Sequence, residues 1–274
     1  MITLSTKNLF TDLAKMTQED LKSNLVKFLK KHYKTVVEAP SYVYAIGDID
    51  IAVMAHLDTV FDFEPEVYCD MEKGVFWSPH GLGADDRAGV FAIVKLIHWY
   101  KKKPHVIFTL DEEVGGVGAQ HLAAIPNPFP DLKYIIQLDR RGERDCVFYN
   151  CGNEDFIKYV ESFGFMATQG SFSDISFICP KWNVAGVNLS IGYLNEHTKI
   201  ELFFYEWMWA TLQKVIKMLE DADNVSNFSY EGKSKTCFVC GKTLPAYEGV
   251  DFTDIDNSNA FICYDCIGGK IKYE

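Results

Sequence analysis

Short apolar segments rich in β-branched residues alternate with segments of helical periodicity through most of the chain. The strand patterns lie at residues 42–45, 51–55, 67–69, 74–77, 106–110, 134–138 and 185–191. The helical patterns lie at residues 16–32, 86–100, 117–124, 154–163 and 201–222. Alternation of this kind is typical of an α/β domain, in which helices cover a mostly parallel sheet. We therefore predict this fold class for the larger part of the chain.

Acidic and histidine side chains follow several of the predicted strands, at the point where each strand ends. They are His56, Asp58, Glu112, Glu113, Asp139 and His197. A further carboxylate, Asp85, comes directly before the helix predicted at 86–100 and follows a glycine-rich turn. Ligand sites in open α/β sheets form beyond the carboxyl ends of the strands. We therefore expect these side chains to meet at one edge of the sheet, although they are far apart in sequence.

Such a cluster requires positive charge, because carboxylates packed in one cleft repel one another and are costly to ionise. Imidazole and carboxylate ligands together suit zinc, and they also suit cobalt or manganese. Two histidines with at least three carboxylates favour a pair of ions with one carboxylate bridging them. Paired ions about 3.5–4 Å apart polarise a carbonyl group and activate water. Asp58 lies two residues after His56, so it points to the same side of an extended strand and can orient the imidazole.

The order and spacing of these motifs resemble the co-catalytic dizinc exopeptidases. This family includes peptidase T, the carboxypeptidase G2 type and the lidless bacterial aminopeptidases. The motifs are His56-x-Asp58, Gly-Ala-Asp85-Asp86-Arg-Ala-Gly, Asp-Glu112-Glu113-x-Gly-Gly, Leu-Asp139 and His197-Thr. The resemblance spans roughly residues 40–220, and it implies a three-layer zinc-exopeptidase fold around the mostly parallel sheet.

The resemblance also implies how the two ions would be held. His56 and His197 would each bind one ion, and Asp85 would bridge the two. Glu113 and Asp139 would complete the two ligand sets. We therefore expect two Zn²⁺ ions in the catalytic site, with Co²⁺ or Mn²⁺ as alternatives.

Two further acids would serve the chemistry in the same family. Glu112 would be the general base, which takes a proton from water and passes it to the leaving amine. Asp58 would accept the second imidazole N–H of His56 and so fix its tautomer and orientation. We therefore name Glu112 and Asp58 as the candidate catalytic residues beside the metal ligands.

Two-domain members of the family insert a lid or dimerisation domain between the equivalents of Asp139 and His197. Only 57 residues (140–196) lie between them here, too few for that domain. We therefore predict the single-domain version, in which a Ser-Asp-x-x-Phe segment often lies near the substrate. The segment Ser173-Asp174-Ile-Ser-Phe177 is similar to it. Asp174 could meet a substrate α-amino group, and an ordinary capping or turn role is an equal alternative.

The end of the chain contains two Cys-x-x-Cys pairs separated by 22 residues. Each pair can present two thiolates to one ion, so the pairs predict a tetrahedral structural zinc site and resemble a zinc ribbon. The four ligands would be Cys237, Cys240, Cys263 and Cys266. A redox-active pair is the main alternative. Because a polar stretch precedes the first pair, we divide the chain into a catalytic domain at 1–222, a linker at 223–234 and a zinc ribbon at 235–274.

Charge and hydropathy argue against several classes of partner. The chain has 27 Lys and Arg against 38 Asp and Glu, a formal net charge of −11. The segment 233–274, with five Lys against six acids, is also slightly acidic, whereas nucleic-acid-binding proteins usually carry a basic excess. No apolar run is long enough to span a membrane, and residues 1–15 contain no apolar signal region. We therefore predict a cytoplasmic protein with neither nucleic-acid nor membrane partners; no oligomeric state is predicted.

The function predicted from these observations is that of a dizinc metallohydrolase that cleaves an amide bond. An aminopeptidase acting on short peptides is the leading form of this hypothesis. A deacylase of N-acyl amino acids and a carboxypeptidase are alternatives with the same metal site. An alternative of another class is a non-catalytic binding protein that works through the zinc ribbon.

Overall fold

The computed structural model describes residues 9–253 and 259–266, apart from residues 171, 231, 233, 246–248, 264 and 265. Its helices are α1 (Leu9–Ala14), α2 (Gln18–His32), α3 (Ala84–Trp99), α4 (Val117–Ala123), α5 (Glu154–Ser162), α6 (Ile175–Trp182) and α7 (Tyr205–Glu220). The strands up to α7 are β1 (Thr35–Glu38), β2 (Tyr42–Ile46), β3 (Ile49–His56), β4 (Tyr68–Asp70), β5 (Val75–Trp77), β6 (Pro104–Thr109), β7 (Tyr134–Arg140), β8 (Asp145–Val147), β9 (Met166–Ala167), β10 (Ala185–Ser190), β11 (Tyr193–Leu194) and β12 (Leu202–Phe204).

A large sheet with the strand order β1-β2-β6-β3-β7-β10-β8-β9 forms the middle of the fold. Its central strands β6, β3, β7 and β10 are parallel to one another. On either side of this group, β2 and β8 run antiparallel to their neighbours β6 and β10. The prediction of an α/β fold with a mostly parallel sheet is therefore confirmed. The carboxyl ends of four neighbouring strands lie along one edge.

Helices cover both faces of the sheet, as the alternation of side chains along β3 shows. Ala52 and Met54 pack in one apolar cluster with residues of α4 and α6. Val53 and Ala55 pack in a larger cluster with residues of α1, α2, α3, α5 and α7. Because successive side chains of a strand point to opposite faces, β3 contributes to both cores. Full burial of an apolar side chain such as Val53 or Met54 stabilises the fold by about 1.5–3 kcal/mol. The layering is that of the predicted three-layer fold.

Helix α3 carries a site residue into the middle of the structure. Residues 84–97 are all buried, and the stretch from Ala88 to Ile97 is apolar except for Lys95, as expected for a helix enclosed by other elements. The helix packs between the strands β3 and β7 and the helices α1 and α7. Its first turn therefore lies beside the carboxyl end of β3, and this turn holds Asp85.

The helix predicted at 201–222 begins later than expected, at Tyr205. The residues before it form β12, in which Phe203 pairs with Phe76 of β5. Phe203 is fully buried and stacks on Phe10 with 4.4 Å between the ring centroids. A second sheet with the order β11-β12-β5-β4 results. Helical periodicity does not reveal this strand, because its partner is more than a hundred residues away in sequence.

The segment between Asp139 and His197 contributes mainly to the central layers. It forms β8, α5, β9, α6, β10 and β11, and its described residues build no separate lid domain. Beyond α7 the chain forms β13 (Ser234–Thr236), β14 (Thr243–Pro245), β15 (Gly249–Thr253) and β16 (Asn259–Cys263). These strands pair as two antiparallel hairpins. Among the described residues, none of the helices has both the length and the apolar character needed to cross a lipid bilayer.

Candidate metal centre and active site

His56, the last residue of β3, lies at the centre of a buried cluster of carboxylates. Its Nε2 lies 3.1 Å from an oxygen of Asp85 and 3.5 Å from an oxygen of Asp139, and only 1% of its side chain is exposed. Burial lowers the pKa of His56, but the hydrogen bonds and charges of Asp139, Asp58 and Asp85 outweigh it, so the pKa lies well above its usual value. The cluster therefore attracts a cation to the position of this nitrogen, and in the metal-free protein that cation is a proton.

Asp58 joins His56 to the loop that follows β6. Its Oδ1 lies 3.1 Å from Nδ1 of His56, and its two oxygens accept hydrogen bonds from the backbone N–H groups of Glu112 and Glu113 at 3.0 and 2.9 Å. Burial raises the pKa of Asp58, but its bonds to His56 and to these N–H groups hold the pKa below its usual value. An ionised Asp58 can therefore accept Nδ1–H of His56, which leaves Nε2 free to bind a metal.

A second group of ligands lies around His197. Its Nε2 is 2.9 Å from Glu113 and 3.3 Å from Oδ2 of Asp85. The hydrogen bonds to Asp85 and then to Glu113 raise the pKa of His197 to about 10. The pKa of Asp85 is lowered, because the hydrogen bonds of His197 and His56 outweigh the effect of burial. Asp85 thus places one oxygen against each histidine.

The two groups have the donor set of a two-metal site. Donor atoms of His56, Asp85 and Asp139 lie within 4.8 Å of one another, and so do those of Asp85, Glu113 and His197. Each group offers one imidazole nitrogen and two carboxylates, a combination that suits zinc and similar divalent ions. The structure therefore brings together all five residues predicted as catalytic-site ligands, and their chemistry fits a metal pair.

Asp139 is held in place by neighbouring polar side chains. Gln137 and Ser173 donate hydrogen bonds to its Oδ2 at 2.9 and 3.1 Å, and the hydroxyl of Tyr193 donates to Oδ1 at 3.2 Å. Burial and the charge of Asp85 raise the pKa of Asp139 to about 6, against the opposing effect of His56. Gln137 lies two residues before Asp139 on the same strand, β7, whereas Ser173 and Tyr193 belong to later segments of the chain. The sequence analysis named none of the three as a partner of Asp139.

Glu201 fixes the loop that carries Asp85, and sequence analysis missed this residue. Its carboxylate accepts backbone hydrogen bonds from Leu82, Gly83 and Asp85 at 3.2, 2.7 and 3.0 Å. The side chain is fully buried, and burial raises the pKa of Glu201 to about 7 even though these N–H groups favour the charged form. A single acid within the apolar run Ile-Glu-Leu-Phe-Phe was the available signal. It lay inside a segment predicted as helix.

Glu112 lies in a pocket of about 300 Å³ above the cluster. The pocket is lined by Asp85, Glu112, Glu113, Asp139, Arg140, Arg141, Tyr149, Phe172, Tyr193, Glu196 and His197. Burial, together with the charges of Asp139, Asp174 and Asp85, raises the pKa of Glu112 to about 9, although the charge of His56 opposes this. A carboxyl with such a raised pKa can hold a proton during a reaction. Divalent ions bound beside it would lower this pKa.

The turn after Glu112 is tight and depends on glycine. The carbonyl oxygen of Glu112 accepts hydrogen bonds from the N–H groups of both Gly115 and Gly116. Gly116 has a φ of 68°, and a Cβ at this position would lie 2.5 Å from the ring of Phe177. Larger residues are therefore excluded, and the turn holds the Glu112 and Glu113 backbone against Asp58.

Asp174 lies beneath the pocket and is not one of the residues that line it. It is fully buried, and its Oδ2 accepts a hydrogen bond from the hydroxyl of Thr109. Its Oδ1 has no hydrogen-bond partner among the described residues, and the side chain does not cap α6. Burial raises the pKa of Asp174 to about 7. Contact with a substrate amino group stays a prediction.

Asp86 and Arg87 lie in the interior. Asp86 accepts hydrogen bonds from the backbone N–H groups of His56 and Gly89 at 3.2 and 2.9 Å. Arg87 donates to the carbonyl oxygen of Met16 at 3.0 Å, and burial lowers its pKa to about 10 against the charges of Asp58 and Asp86. Both side chains therefore support the cluster from below, outside the pocket.

The four cysteines of the C-terminal segment also meet. The Sγ atoms of Cys237, Cys240, Cys263 and Cys266 lie within 4.8 Å of one another. The backbone N–H of Cys263 donates to Sγ of Cys237 at 3.4 Å, and such backbone bonds lower the pKa of Cys237 to about 6. Four thiolates at this separation have the chemistry of a tetrahedral zinc site.

The fold and the histidine–carboxylate cluster at the carboxyl ends of its strands define a metallopeptidase of the exopeptidase type. Residues 52–255 match the family described as Peptidase family M20/M25/M40, and the chain belongs to this family. The family is metal-dependent, and the chain is a hydrolytic peptidase, as the sequence predicted. This sets aside the alternative of a non-catalytic binding protein. No curated protein matches the chain by sequence at a significant level.

Three of the solved structures that this fold resembles are described as peptidases. A tripeptidase from Staphylococcus aureus matches with a TM-score of 0.66 and 14% identity over 80% of this chain and 98% of that chain. A TET aminopeptidase from a marine sediment thaumarchaeote matches with a TM-score of 0.63 and 12% identity over 77% and 95%. Aminopeptidase PepT from Bacillus cereus matches with a TM-score of 0.59 and 16% identity over 79% and 97%. At these identities the likeness establishes the fold.

Proposed function

We propose that the chain is a dizinc aminopeptidase that cleaves short peptides. The observation that carries this proposal is the position of Asp85, whose two oxygens lie against His56 and His197. One ion would be held by His56 and Asp139, the other by His197 and Glu113, with Asp85 bridging them. Co²⁺ or Mn²⁺ could take the place of Zn²⁺ with these ligands.

The two ions would supply polarisation of the scissile carbonyl and a water of lowered pKa. Glu112 faces the same pocket and would take the proton of the attacking water. It would then pass this proton to the nitrogen of the leaving amine, so that the peptide bond breaks to give a carboxylate and a free amine. Burial and neighbouring acids raise the pKa of Glu112 to about 9 in the metal-free protein, and the bound ions would lower it so that the carboxylate could accept the proton.

The remaining residues would position these groups. Asp58 holds His56 through Nδ1 and is itself fixed by the backbone that carries Glu112. Glu201 holds the backbone N–H of Asp85. The geometry of the base and of the bridging carboxylate is therefore set by hydrogen bonds within the rigid centre of the fold.

The four C-terminal cysteines would bind a third, structural zinc ion. We propose a catalytic domain at 1–222, a linker at 223–234 and a zinc ribbon at 235–274. A short segment with two small hairpins has little apolar core of its own, so metal binding would supply much of its folding free energy.

The test combines metal analysis with turnover of reporter amides. Wild-type protein should contain three zinc ions per chain and should hydrolyse aminoacyl amides, and a chelator should abolish the activity. Glu112→Gln should keep all three ions and lose kcat by about 10²–10⁴-fold, the usual contribution of general acid–base catalysis. His56→Ala should lose metal as well. Glu72→Gln, at an exposed acid outside the site, is the matched control.

Two results would contradict the proposal. Full activity in metal-loaded Glu112→Gln would remove the base from the mechanism. A wild-type protein that binds at most one zinc ion per chain, or that hydrolyses none of the aminoacyl amides, would remove the dizinc aminopeptidase assignment.

A further inference from the structure

A side chain from the first residue of α2 reaches the loop that carries Glu112. We call this loop, residues 110–116 between β6 and α4, the base loop. Nε2 of Gln18 donates to Oδ1 of Asp111 at 2.9 Å, and Oε1 of Gln18 accepts the backbone N–H of Asp111 at 3.0 Å. The two residues are 93 positions apart in sequence. Because Asp111 directly precedes Glu112, this double contact lies one residue from the proposed base.

Asp111 has a backbone conformation that is unfavourable for most residues. Its φ is 59°, in the left-handed region, which costs an ordinary residue roughly 1–2 kcal/mol and which Asp tolerates better than most. The chain changes direction here, since β6 ends at Thr109 and Glu112 faces the pocket. Gln18 bonds to both the backbone and the side chain of Asp111, so it stabilises this conformation over an extended continuation of the strand.

The base loop is also held on the other side of Asp111. The backbone N–H groups of Glu112 and Glu113 bond to Asp58, and the carbonyl oxygen of Glu112 accepts two glycine N–H groups. These contacts fix the peptide groups that follow Asp111, whereas Gln18 fixes the residue at which the chain leaves the sheet. The direction of the Glu112 side chain depends on the backbone on both sides of its Cα, so both sets of contacts contribute to it.

The start of α2 is firmly attached to the rest of the fold. Nη2 of Arg87 in α3 donates to the carbonyl oxygen of Met16 at 3.0 Å, and only 2% of Arg87 is exposed. Leu21 and Leu25, further along α2, are fully buried in the core. The position of the Gln18 backbone is therefore set by packing. A change of its side chain should remove the contact with the base loop and leave α2 in place.

We propose that Gln18 is a positioning residue for the base: through Asp111 it holds Glu112 in the orientation in which the carboxylate reaches the attacking water. This inference rests on the proposed function and adds to it a residue outside the pocket. Gln18 is not one of the residues that line the pocket, so it acts on the reaction through Asp111 and Glu112. Its loss should lower kcat and leave KM and the metal content nearly unchanged.

The first experiment exchanges the chemistry of the two partners. Gln18→Glu removes the donor and places a second carboxylate beside Asp111. For aminoacyl amides kcat should fall about 10- to 100-fold, the scale expected when a reacting group is misplaced by about 1 Å, while KM should stay within about twofold. Adding Asp111→Asn supplies an amide that donates to the carboxylate introduced at position 18, and Asn also tolerates a positive φ. This double variant should recover kcat to within about threefold of the wild-type value.

A second variant, a control and a structural measurement accompany the exchange. Gln18→Met keeps a side chain of similar length without the amide, and it should lose kcat as Gln18→Glu does. Gln213→Glu makes the same chemical change at an exposed position of α7 and should leave kcat and KM unaffected. Hydrogen exchange of metal-free protein is independent of catalysis. In Gln18→Glu and Gln18→Met the base loop should exchange about 3- to 10-fold faster, as expected for the loss of one or two hydrogen bonds.

The outcomes distinguish this inference from the proposed function. If metal-loaded wild-type protein hydrolyses none of the aminoacyl amides, the proposed function fails and the role of Gln18 fails with it. Wild-type kcat in Gln18→Glu or in Gln18→Met leaves the proposed function standing and refutes the role of Gln18. A loss that appears in KM instead of kcat, or that Asp111→Asn does not reverse in Gln18→Glu, would also refute it, because it would indicate a general disturbance of the site.

Discussion

Glu201→Gln tests whether a buried carboxylate holds the bridging ligand in place. In the wild type, one oxygen of Glu201 accepts from Leu82 and Gly83, and the other accepts from Asp85. A glutamine amide has only one oxygen, so at least one of these buried N–H groups loses its acceptor. An unsatisfied buried donor costs about 1–3 kcal/mol. The loop that carries Asp85 should therefore become less well defined.

The negative charge of Glu201 lowers the stability of the folded state, so its removal acts against the loss of the hydrogen bond. The size of this effect depends on pH. The pKa of Glu201 is about 7 in the folded state against 4.5 ordinarily, so the folded state binds this proton more tightly than the unfolded state does. Stability is therefore lost as the pH rises from about 4.5 to about 7, and about 3 kcal/mol is lost above pH 7. Glutamine does not ionise. Without metal, Glu201→Gln should be less stable than wild type by about 1–3 kcal/mol at pH 5, and this deficit should disappear at pH 8.

The assays are urea unfolding in the presence of a chelator at pH 5 and pH 8, and zinc affinity at pH 8 by competition with a chelating dye. At pH 8 the variant should bind zinc in the catalytic cluster about tenfold more weakly or worse, although its stability is close to that of wild type. Glu206→Gln, at an exposed acid in the first turn of α7, should change neither quantity. Wild-type zinc affinity in Glu201→Gln, or a stability difference that does not change with pH, would refute the reasoning.

Three further predictions concern metal and pH. Zinc binding should weaken as the pH falls, because the raised pKa values of His56 and His197 mean that protons compete with zinc for Nε2. Calorimetry in buffers of different ionisation heat should detect the protons released when zinc binds, and zinc binding without proton release would contradict this prediction. Removal of metal should lower the melting temperature, because free zinc at 100 times its Kd stabilises the folded state by about 2.7 kcal/mol for each independent site. Scanning calorimetry with and without chelator measures this change, and equal melting temperatures would count against a metal site. Cys237→Ser should lose one zinc ion per chain and retain hydrolysis, whereas Cys69→Ser should lose none; metal analysis showing three ions in Cys237→Ser would exclude the cysteine site.

Local rules predicted those parts of the site that depend on one strand or on the ends of parallel strands. Asp58 lies against His56 because two residues of extended chain return to the same side. Asp139 meets His56 because the carboxyl ends of the parallel strands β7 and β3 share one edge. Asp85 meets His56 because the first turn of α3 lies beside the carboxyl end of β3. In each case the geometry follows from a regular element that the sequence pattern itself indicates.

The parts that were missed depend on contacts between segments far apart in sequence. Glu201 comes immediately before β12, a strand that exists because it pairs with β5, and helical periodicity masked it. Helix α6 is only eight residues long and contains Pro180, so its pattern is weak.

The unequal exposure of the two histidines has a consequence for the order in which the site exchanges its ions. The side chain of His56 is 1% exposed, whereas that of His197 is 47% exposed and lies in a loop with a φ of 61°. Ligand exchange requires water or a chelator to reach the ion, so the proposed ion at His197 would leave and return faster. On removal of metal, the inner position would therefore empty last. Partial depletion would therefore give a uniform one-metal species rather than a mixture of fully loaded and empty molecules.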